Sequence, residues 1–185
     1  MGVLFTKYRC TINFEFLSNK LTEIQNENGE LEFISGNNVP QELIEQFIQT
    51  QELVKSILLE RYNEEIETYT NNGLQTLLNT APSLLSKGFQ LIVDRNSNQL
   101  VGRLDMTVIS KTARLETLFV NETYSRRSLG KWLIGSALLQ LKDNENIKII
   151  ETNTDEKNEF ALKSLKAYDF FHKYTIDHFL KALNQ

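Results

Sequence analysis

The sequence predicts an α+β fold built on a mixed, mostly antiparallel sheet. Three β-type runs follow one another between residues 89 and 120 with short turns between them, and such short connections join antiparallel strands. A helical segment at residues 129–141 and a continuously apolar run at residues 147–150 come next. Because a strand–helix–strand order is the usual crossover between parallel strands, we expect one parallel pair in the middle of the sheet.

A chain of 185 residues is expected to form one domain, here spanning residues 1–185. Near its start, Tyr8–Leu17 alternates and is rich in β-forming residues, and Glu30–Ile34 is a second short β-type run. The turn signal Asn26–Gly29 lies between them. We therefore expect an extra hairpin-like segment over about residues 1–35.

Local signals also predict the elements that follow. Pro40 suits the first turn of a helix, and apolar residues recur at helical spacing from Leu43 to Leu58. The remaining predicted elements are a helix at Leu74–Leu85, strands at Phe89–Asp94, Gln99–Ile109 and Ala113–Val120, a helix at Leu129–Leu141, a buried strand at Ile147–Ile150, a helix at Lys157–Tyr168 and one or two terminal strands within Phe170–Leu183.

Composition and charge exclude several classes of protein. The formal net charge of −4 argues against a nucleic-acid-binding protein, which normally carries a basic patch. No run approaches the roughly 20 apolar residues that cross a bilayer, so we expect no membrane partner. The N-terminus lacks a basic stretch followed by an apolar one, so we expect no secretory signal. The single cysteine, Cys10, excludes an intrachain disulfide and fits the cytoplasm. His172 and His178 lie far from it in sequence, so no metal site is expected. A homodimer remains open.

The turn between the third central strand and the next helix has the features of an anion site. The strand ends near Val120, the helix begins near Leu129, and the turn between them carries Arg126 and Arg127. A helix N-terminus presents unpaired N–H groups and a partial positive charge, and Gly130 permits close approach to the backbone. The alternative is that a serine caps the helix and both arginines are solvated.

This segment resembles motif A of the GNAT superfamily of N-acetyltransferases, in which a Leu-x-Val strand leads into Arg/Gln-x-x-Gly-x-Gly/Ala. Here Gly130 matches the final glycine, whereas Ser125 and Ser128 replace the Arg/Gln and the first glycine. The resemblance implies acetyl-CoA as co-substrate, with its pyrophosphate held by backbone amides of the loop. The residues that it implies for binding are Leu118, Phe119, Val120, Ser125, Arg126, Arg127, Ser128, Leu129, Gly130, Lys131 and, from a second motif, Asn158.

The second motif lies at Asn158–Phe170 and resembles the superfamily's Asn-x-x-Ala-x-x-x-Tyr-x-x-x-Gly-Phe signature. Asn158, Ala161 and Phe170 match the signature, whereas Leu165 replaces its tyrosine and Asp169 its glycine. The two motifs together extend the resemblance over about residues 89–183. They imply a GNAT-like twisted sheet with helices on both faces.

Acetylation of an amine needs a group that accepts the amine proton. The run Leu115–Val120 resembles polyamine and aminoglycoside acetyltransferases of the superfamily, which implies Glu116 as a general base acting through water. Strand alternation predicts that Glu116 shares one face with Leu118 and Val120. The alternative is a surface carboxylate paired with Arg103 or Arg114.

Protonation of the departing thiolate needs a donor, for which Tyr168 is the candidate. It lies one helical turn after Leu165, which occupies the usual tyrosine position, so the two residues share a helix face. The alternative is that Tyr168 is a core or surface aromatic residue. Some members of the superfamily manage without a dedicated acid.

We therefore expect an N-acetyltransferase that moves an acetyl group from acetyl-CoA to a primary amine by direct attack. The acceptor is a small molecule or a peptide, and the acidic run Asn63–Glu67 would suit a cationic one. One alternative is a catalytically degenerate GNAT-fold module that binds CoA or regulates, which Ser125, Ser128, Leu165 and Asp169 favour. Another is an α+β interaction domain without a CoA site.

Overall fold

The computed structural model describes residues 4–10, 14–36, 40–62, 88–109, 111–141, 149–155, 159–166 and 170–177. The strands are β1 Leu4–Cys10, β2 Leu31–Gly36, β3 Phe89–Asp94, β4 Gln99–Ile109, β5 Thr112–Val120, β6 Ile149–Asp155 and β7 Phe170–Asp177. The helices are α1 Phe14–Glu27, α2 Ile44–Tyr62, α3 Leu129–Leu141 and α4 Glu159–Lys166, with short 3-10 turns at Gln41–Leu43 and Glu122–Tyr124.

The strands form one seven-stranded sheet in the order β2-β3-β4-β5-β6-β1-β7. Among the strands that the structure describes, only the β5–β6 pair is parallel, and α3 is the crossover between these two strands. The other five pairs are antiparallel. The predicted α+β fold with a mostly antiparallel sheet and a central parallel pair is therefore confirmed.

The predicted N-terminal hairpin is wrong. A helix, α1, follows β1, and β1 lies between β6 and β7, while β2 pairs with β3 at the other edge of the sheet. The alternation that predicted a strand through Leu17 also starts a helical pattern. Leu17, Leu21 and Ile24 recur every three or four residues and are all buried, so this stretch buries one helical face rather than one strand face.

Helices cover both faces of the sheet, as expected. We call the two sides the α3 face and the α2 face. The α3 face carries the larger core, which joins buried residues of α1, α3 and α4 to the inner side chains of the sheet, among them Leu17, Leu104, Leu115, Leu133 and Leu165. On the α2 face a second core forms from Leu43, Ile44, Phe47, Phe89, Leu91, Val93 and Leu100.

The central elements match their predictions closely, since β3, β4 and α3 have the predicted bounds and β5 begins one residue earlier. Strand β6 runs on to Asp155, beyond the apolar run from which it was predicted, because its polar end pairs with β1. The predicted helix Leu74–Leu85 and the acidic run Asn63–Glu67 lie outside the described residues. In the described ranges, no helix has both the length and the apolar character that a membrane span requires.

Candidate functional site

The two parallel strands β5 and β6 separate before they end. Their recorded pairing runs from Thr112 and Ile149 to Leu115 and Thr152, where the Thr152 hydroxyl also donates to the Leu115 carbonyl at 2.8 Å. Beyond this point β5 continues to Val120 along β4, while β6 continues along β1. We call the interval between residues 116–120 of β5 and residues 153–155 of β6 the strand gap.

A β-bulge lies at the start of the strand gap. Leu104 of β4 pairs with Leu118, but Met106 pairs with Leu115, so Glu116 and Thr117 together oppose the single residue Asp105. A bulge bends its strand and increases the local twist. The bend occurs where β5 leaves β6, and it therefore helps to open the gap.

The bulge also decides which residues of β5 share a face with Glu116. Ala113 and Leu115 are buried in the core of the α3 face, and Leu118 and Val120 pack against that same core. The alternation therefore slips by one residue within the bulge, and the expectation that Glu116 shares a face with Leu118 and Val120 is wrong. Glu116 lies on the α2 face, immediately after the last residue of β5 that pairs with β6.

The carboxylate of Glu116 is exposed and accepts a hydrogen bond from the Thr107 hydroxyl at 2.6 Å. The alternative partners considered from sequence are engaged elsewhere. Arg103 forms an ion pair with Asp105, and Arg114 donates to Glu151 at 2.9 Å. Glu116 thus stands at the mouth of the strand gap, oriented by a hydroxyl rather than paired with a cation among the described residues.

Beneath α2, beside the bulge, lies a buried ion pair. The Arg103 Nε donates to Asp105 Oδ1 at 2.7 Å, and its Nη1 donates to the Phe47 carbonyl of α2 at 2.8 Å. Arg103 is fully buried, with its guanidinium carbon 3.5 Å from the Phe47 ring centroid. Burial raises the pKa of Asp105, while Arg103 and a hydrogen bond from Thr117 oppose that rise. The Arg-x-Asp spacing, which places both side chains on one strand face, was the sequence signal for this pair.

The loop from β5 to α3 has an alternating backbone conformation. Asn121 caps the short 3-10 turn through a hydrogen bond from the Thr123 amide, and Ser125 is extended with φ −62°. Arg126 and Ser128 then adopt left-handed φ angles of 64° and 60°. A left-handed conformation costs a non-glycine residue about 1–2 kcal/mol. Alternating signs of φ turn successive amides toward one side and form an anion-binding concavity.

Helix α3 begins directly after this alternation. The Ser128 carbonyl accepts the Trp132 amide at 3.0 Å, so the amides of Leu129 to Lys131 precede the first intrahelical bond of this 13-residue helix. The left-handed φ of Ser128 differs from the extended backbone of a usual serine cap. This helix start therefore places amides that precede the intrahelical bonding pattern at the positive end of the helix dipole.

The two arginines of the loop have different surroundings. Arg126 is exposed, and no ion pair is recorded for it among the described residues. Arg127 instead donates from Nε to Asn28 Oδ1 at 2.8 Å, forms an ion pair with Glu30 and lies above the Tyr124 ring at 5.7 Å. The bond from Arg127 lowers the pKa of Glu30 below its ordinary value. Solvation of both arginines, considered from sequence, is therefore wrong for Arg127.

Gly130 faces α4. A β-carbon at this position would lie 3.2 Å from the Ser164 hydroxyl, which is tighter than ordinary contact. The glycine thus allows α3 and α4 to approach each other at the helix start. Asn158 and Tyr168, the other residues expected in the site, lie outside the described residues.

The structure brings most of the expected site together around the strand gap. Leu118, Phe119 and Val120 line the β5 side and are all partly buried, and the loop from Ser125 to Lys131 follows them directly. Sequence reasoning missed three residues around the bulge. Thr107 donates to Glu116, and Thr117 donates to Asp105. Among the residues that the structure describes, no three His, Cys, Asp or Glu side chains lie together as potential metal ligands.

Comparison with known proteins relates the chain to one family of acetyltransferases. The model of the acetyltransferase (GNAT) family matches residues 50–170. An aminoglycoside acetyltransferase from an uncultured soil metagenomic sample, solved in complex with sisomicin, superposes with a TM-score of 0.56 at 22% identity, over 82% of this chain and 95% of that one. An acetyltransferase from Trypanosoma brucei has a TM-score of 0.57 at 14% identity, over 81% of this chain and 99% of that one.

A GNAT-family acetyltransferase from Staphylococcus aureus Mu50 has a TM-score of 0.56 at 20% identity, over 74% of this chain and 81% of that one. No curated protein matches the sequence. At these identities the structural likeness establishes the fold alone. Membership of the acetyltransferase (GNAT) family is established by the family model, which matches more than half of the chain.

Proposed function

Because the chain belongs to the GNAT family of acetyltransferases, we propose that it transfers an acetyl group from acetyl-CoA to a primary amine. The observation that carries the proposal is the strand gap, which opens directly beside an anion-binding loop and the start of α3. Acetyl-CoA carries a thioester and a pyrophosphate joined by the extended pantetheine arm, and these two groups suit the strand gap and the neighbouring loop. The gap takes the pantetheine arm, and the loop takes the pyrophosphate.

The loop binds the pyrophosphate through its backbone and one free charge. The amides from Arg126 to Lys131 supply hydrogen bonds and the helix dipole supplies positive potential. Arg126 adds the charge of an exposed guanidinium. Since amides rather than side chains carry the binding, Ser125 and Ser128 are compatible with it despite their departure from the family pattern. Asn158 contributes from the segment before α4.

The acceptor amine approaches from the α2 face, where Glu116 lies. The neutral amine nitrogen attacks the thioester carbon, its proton passes to Glu116 through water, and the carbon–sulfur bond breaks to release CoA thiolate. Thr107 holds the carboxylate in place. Tyr168 supplies the proton that converts the thiolate to the thiol. No covalent enzyme intermediate is needed when both substrates are held together.

We further propose that the acceptor is a cationic small molecule. The exposed carboxylate of Glu116 at the gap and the net charge of −4 favour a positively charged partner. The structural neighbour solved with sisomicin, an aminoglycoside acetyltransferase, supports this class of acceptor. The acidic run Asn63–Glu67, which follows α2 in sequence, would add to the attraction.

Two measurements test the proposal. Acetyl-CoA should raise the melting temperature in proportion to the logarithm of its concentration, whereas acetyl-pantetheine, which lacks the pyrophosphate, should raise it far less. Release of CoA thiol should then appear with members of an amine panel that includes polyamines and aminoglycosides. Equal shifts with both thioesters would contradict the role of the loop, and no shift with either would contradict CoA binding. Binding without thiol release from any amine would favour the degenerate module.

A further inference from the structure

The side chain of Arg127 links the β5–α3 loop to a distant part of the chain. Its Nε donates to Asn28 Oδ1 at 2.8 Å, and its guanidinium forms an ion pair with Glu30. Asn28 returns a long contact of 3.5 Å from Nδ2 to the Arg127 carbonyl. Asn28 and Glu30 lie in the turn between α1 and β2, 99 and 97 positions earlier in the sequence. We call Arg127, Asn28 and Glu30 the loop clamp.

The far side of the clamp is itself firmly held. Asn28 is 2% exposed, and its Nδ2 donates to the Ile24 carbonyl of α1 at 2.7 Å. Its backbone amide donates to Gln25, and its carbonyl accepts from the Leu31 amide of β2. An asparagine fixed at both its side chain and its backbone offers a rigid anchor for a guanidinium.

The loop needs such an anchor because of its backbone. Arg126 and Ser128, the neighbours of Arg127 on either side, are the two residues with left-handed φ angles in this loop. Non-glycine residues keep that conformation only where surrounding contacts determine it. A second support comes from Tyr124, whose hydroxyl donates to Asp94 at 2.7 Å while its ring lies under Arg127.

The same contacts make Arg127 a poor ligand for phosphate. Its charge is balanced by the Glu30 carboxylate, and 30% of its side chain is exposed. Arg126 next to it is exposed without a recorded ion pair among the described residues. The two adjacent arginines therefore have separate tasks, one toward the protein and one toward solvent.

We propose that Arg127 is a positioning residue, which through Asn28 and Glu30 holds the β5–α3 loop in the conformation that receives the CoA pyrophosphate. The inference rests on the proposed function for its ligand, although the clamp is a property of the free protein. It assigns a role to the turn after α1, because that turn fixes the geometry of a loop far away in sequence.

The test compares Arg127→Ala, Arg127→Lys and Asn28→Ala with the wild-type chain. Two reporters follow the free loop by amide hydrogen exchange: the Ser125 amide, bonded to the Glu122 carbonyl, and the Trp132 amide, bonded to the Ser128 carbonyl. All three variants should speed exchange at both amides. They should also raise the KM and Kd for acetyl-CoA by about 10- to 100-fold, with a much smaller change in kcat. Lysine should not rescue, because its single ammonium cannot span Asn28 and Glu30 as a planar fork does.

Two control variants separate positioning from charge. Arg126→Ala should weaken acetyl-CoA binding through lost charge, with exchange at both reporter amides unchanged. Arg95→Ala removes another arginine side chain that donates to the same turn, at the Gly29 carbonyl at 3.2 Å, and that forms no hydrogen bond or ion pair with the described loop residues 121–128. It should change neither exchange nor affinity.

Each alternative outcome is distinct. Rescue of affinity by Arg127→Lys, or lost affinity in Arg127→Ala with unchanged exchange, would make Arg127 a direct phosphate ligand and overturn the inference. Faster exchange with unchanged affinity would overturn it too, because the clamp would then not serve binding. If the wild-type chain itself does not bind acetyl-CoA, the proposed function fails, and the role of the clamp in binding fails with it.

Discussion

At the scale of single residues, Glu116 lies at a break in the alternation of its strand. It follows the buried Leu115 in regular alternation and therefore lies exposed on the α2 face. The bulge that it forms with Thr117 opposite Asp105 then returns Leu118 to the α3 face. Counting back by twos from Leu118 across the bulge therefore assigns the carboxylate to the wrong face.

We expect Glu116→Gln to lower turnover by about 100- to 10,000-fold, the usual cost of removing a positioned base, with little change in acetyl-CoA affinity. The loss should shrink as pH rises, because more of the acceptor amine is then already neutral. The measurement is a pH–rate profile of both proteins on an amine identified by the thiol-release panel. Thr107→Val, which removes the hydroxyl bonded to Glu116, should give a smaller loss of the same kind. Parallel profiles less than about threefold apart would show that Glu116 is not the base.

At the scale of elements, α3 and α4 meet closely at the start of α3. Gly130 stands at this contact, and a β-carbon there would crowd the Ser164 hydroxyl. This contact gives the glycine a packing role in addition to any role beside a ligand. A large substitution such as Gly130→Glu would disturb both at once, so alanine is the sharper probe.

Gly130→Ala tests the contact between the two helices. Alanine favours a helix over glycine by up to about 1 kcal/mol, and the crowding at Ser164 should offset most of that gain in the wild-type background. In a Ser164→Ala background, Gly130→Ala should raise the free energy of unfolding more, with a coupling between the two changes of about 0.5–1 kcal/mol. Urea denaturation of the wild-type chain, the two single variants and the double variant measures this coupling. Equal effects in the two backgrounds would mean that Ser164 does not limit the position.

At the scale of the whole molecule, a charged pair lies where α2 crosses the sheet. Arg103 is fully buried between the Asp105 carboxylate and the Phe47 carbonyl, so one side chain joins β4 to α2 beside the bulge. Such a pair contributes little net stability when intact but is costly to break, because one buried charge remains unpaired.

Asp105→Asn should therefore lower the free energy of unfolding by about 3–5 kcal/mol. The double change Arg103→Met with Asp105→Leu should lower it less, since no buried charge is left. Lys163→Ala serves as the control, because its pair with Glu159 is largely exposed and should matter by less than about 1 kcal/mol. Denaturation curves of the wild-type chain and all three variants measure these changes in the free energy of unfolding. A larger loss in the double variant than in Asp105→Asn would contradict this account.

The sequence by itself determined the elements whose signals are local. Turn residues and periodicity located β3, β4, β5 and α3 within a residue or so, and with them the loop that carries the candidate anion site. The order of these elements also predicted the parallel crossover. Such features depend on residues within one or two turns of each other, so the linear pattern contains them.

Only the tertiary structure decided which distant segments meet. The partners of β1, the bulge in β5 and the clamp on Arg127 each depend on a second segment far along the chain. Hydrophobic alternation in one strand cannot reveal a bulge, because a bulge is a mismatch between two paired strands. From sequence alone, an arginine in a loop is likewise expected to be solvated. Because Asn28 and Glu30 approach Arg127 only in the folded chain, its role follows from packing rather than from sequence.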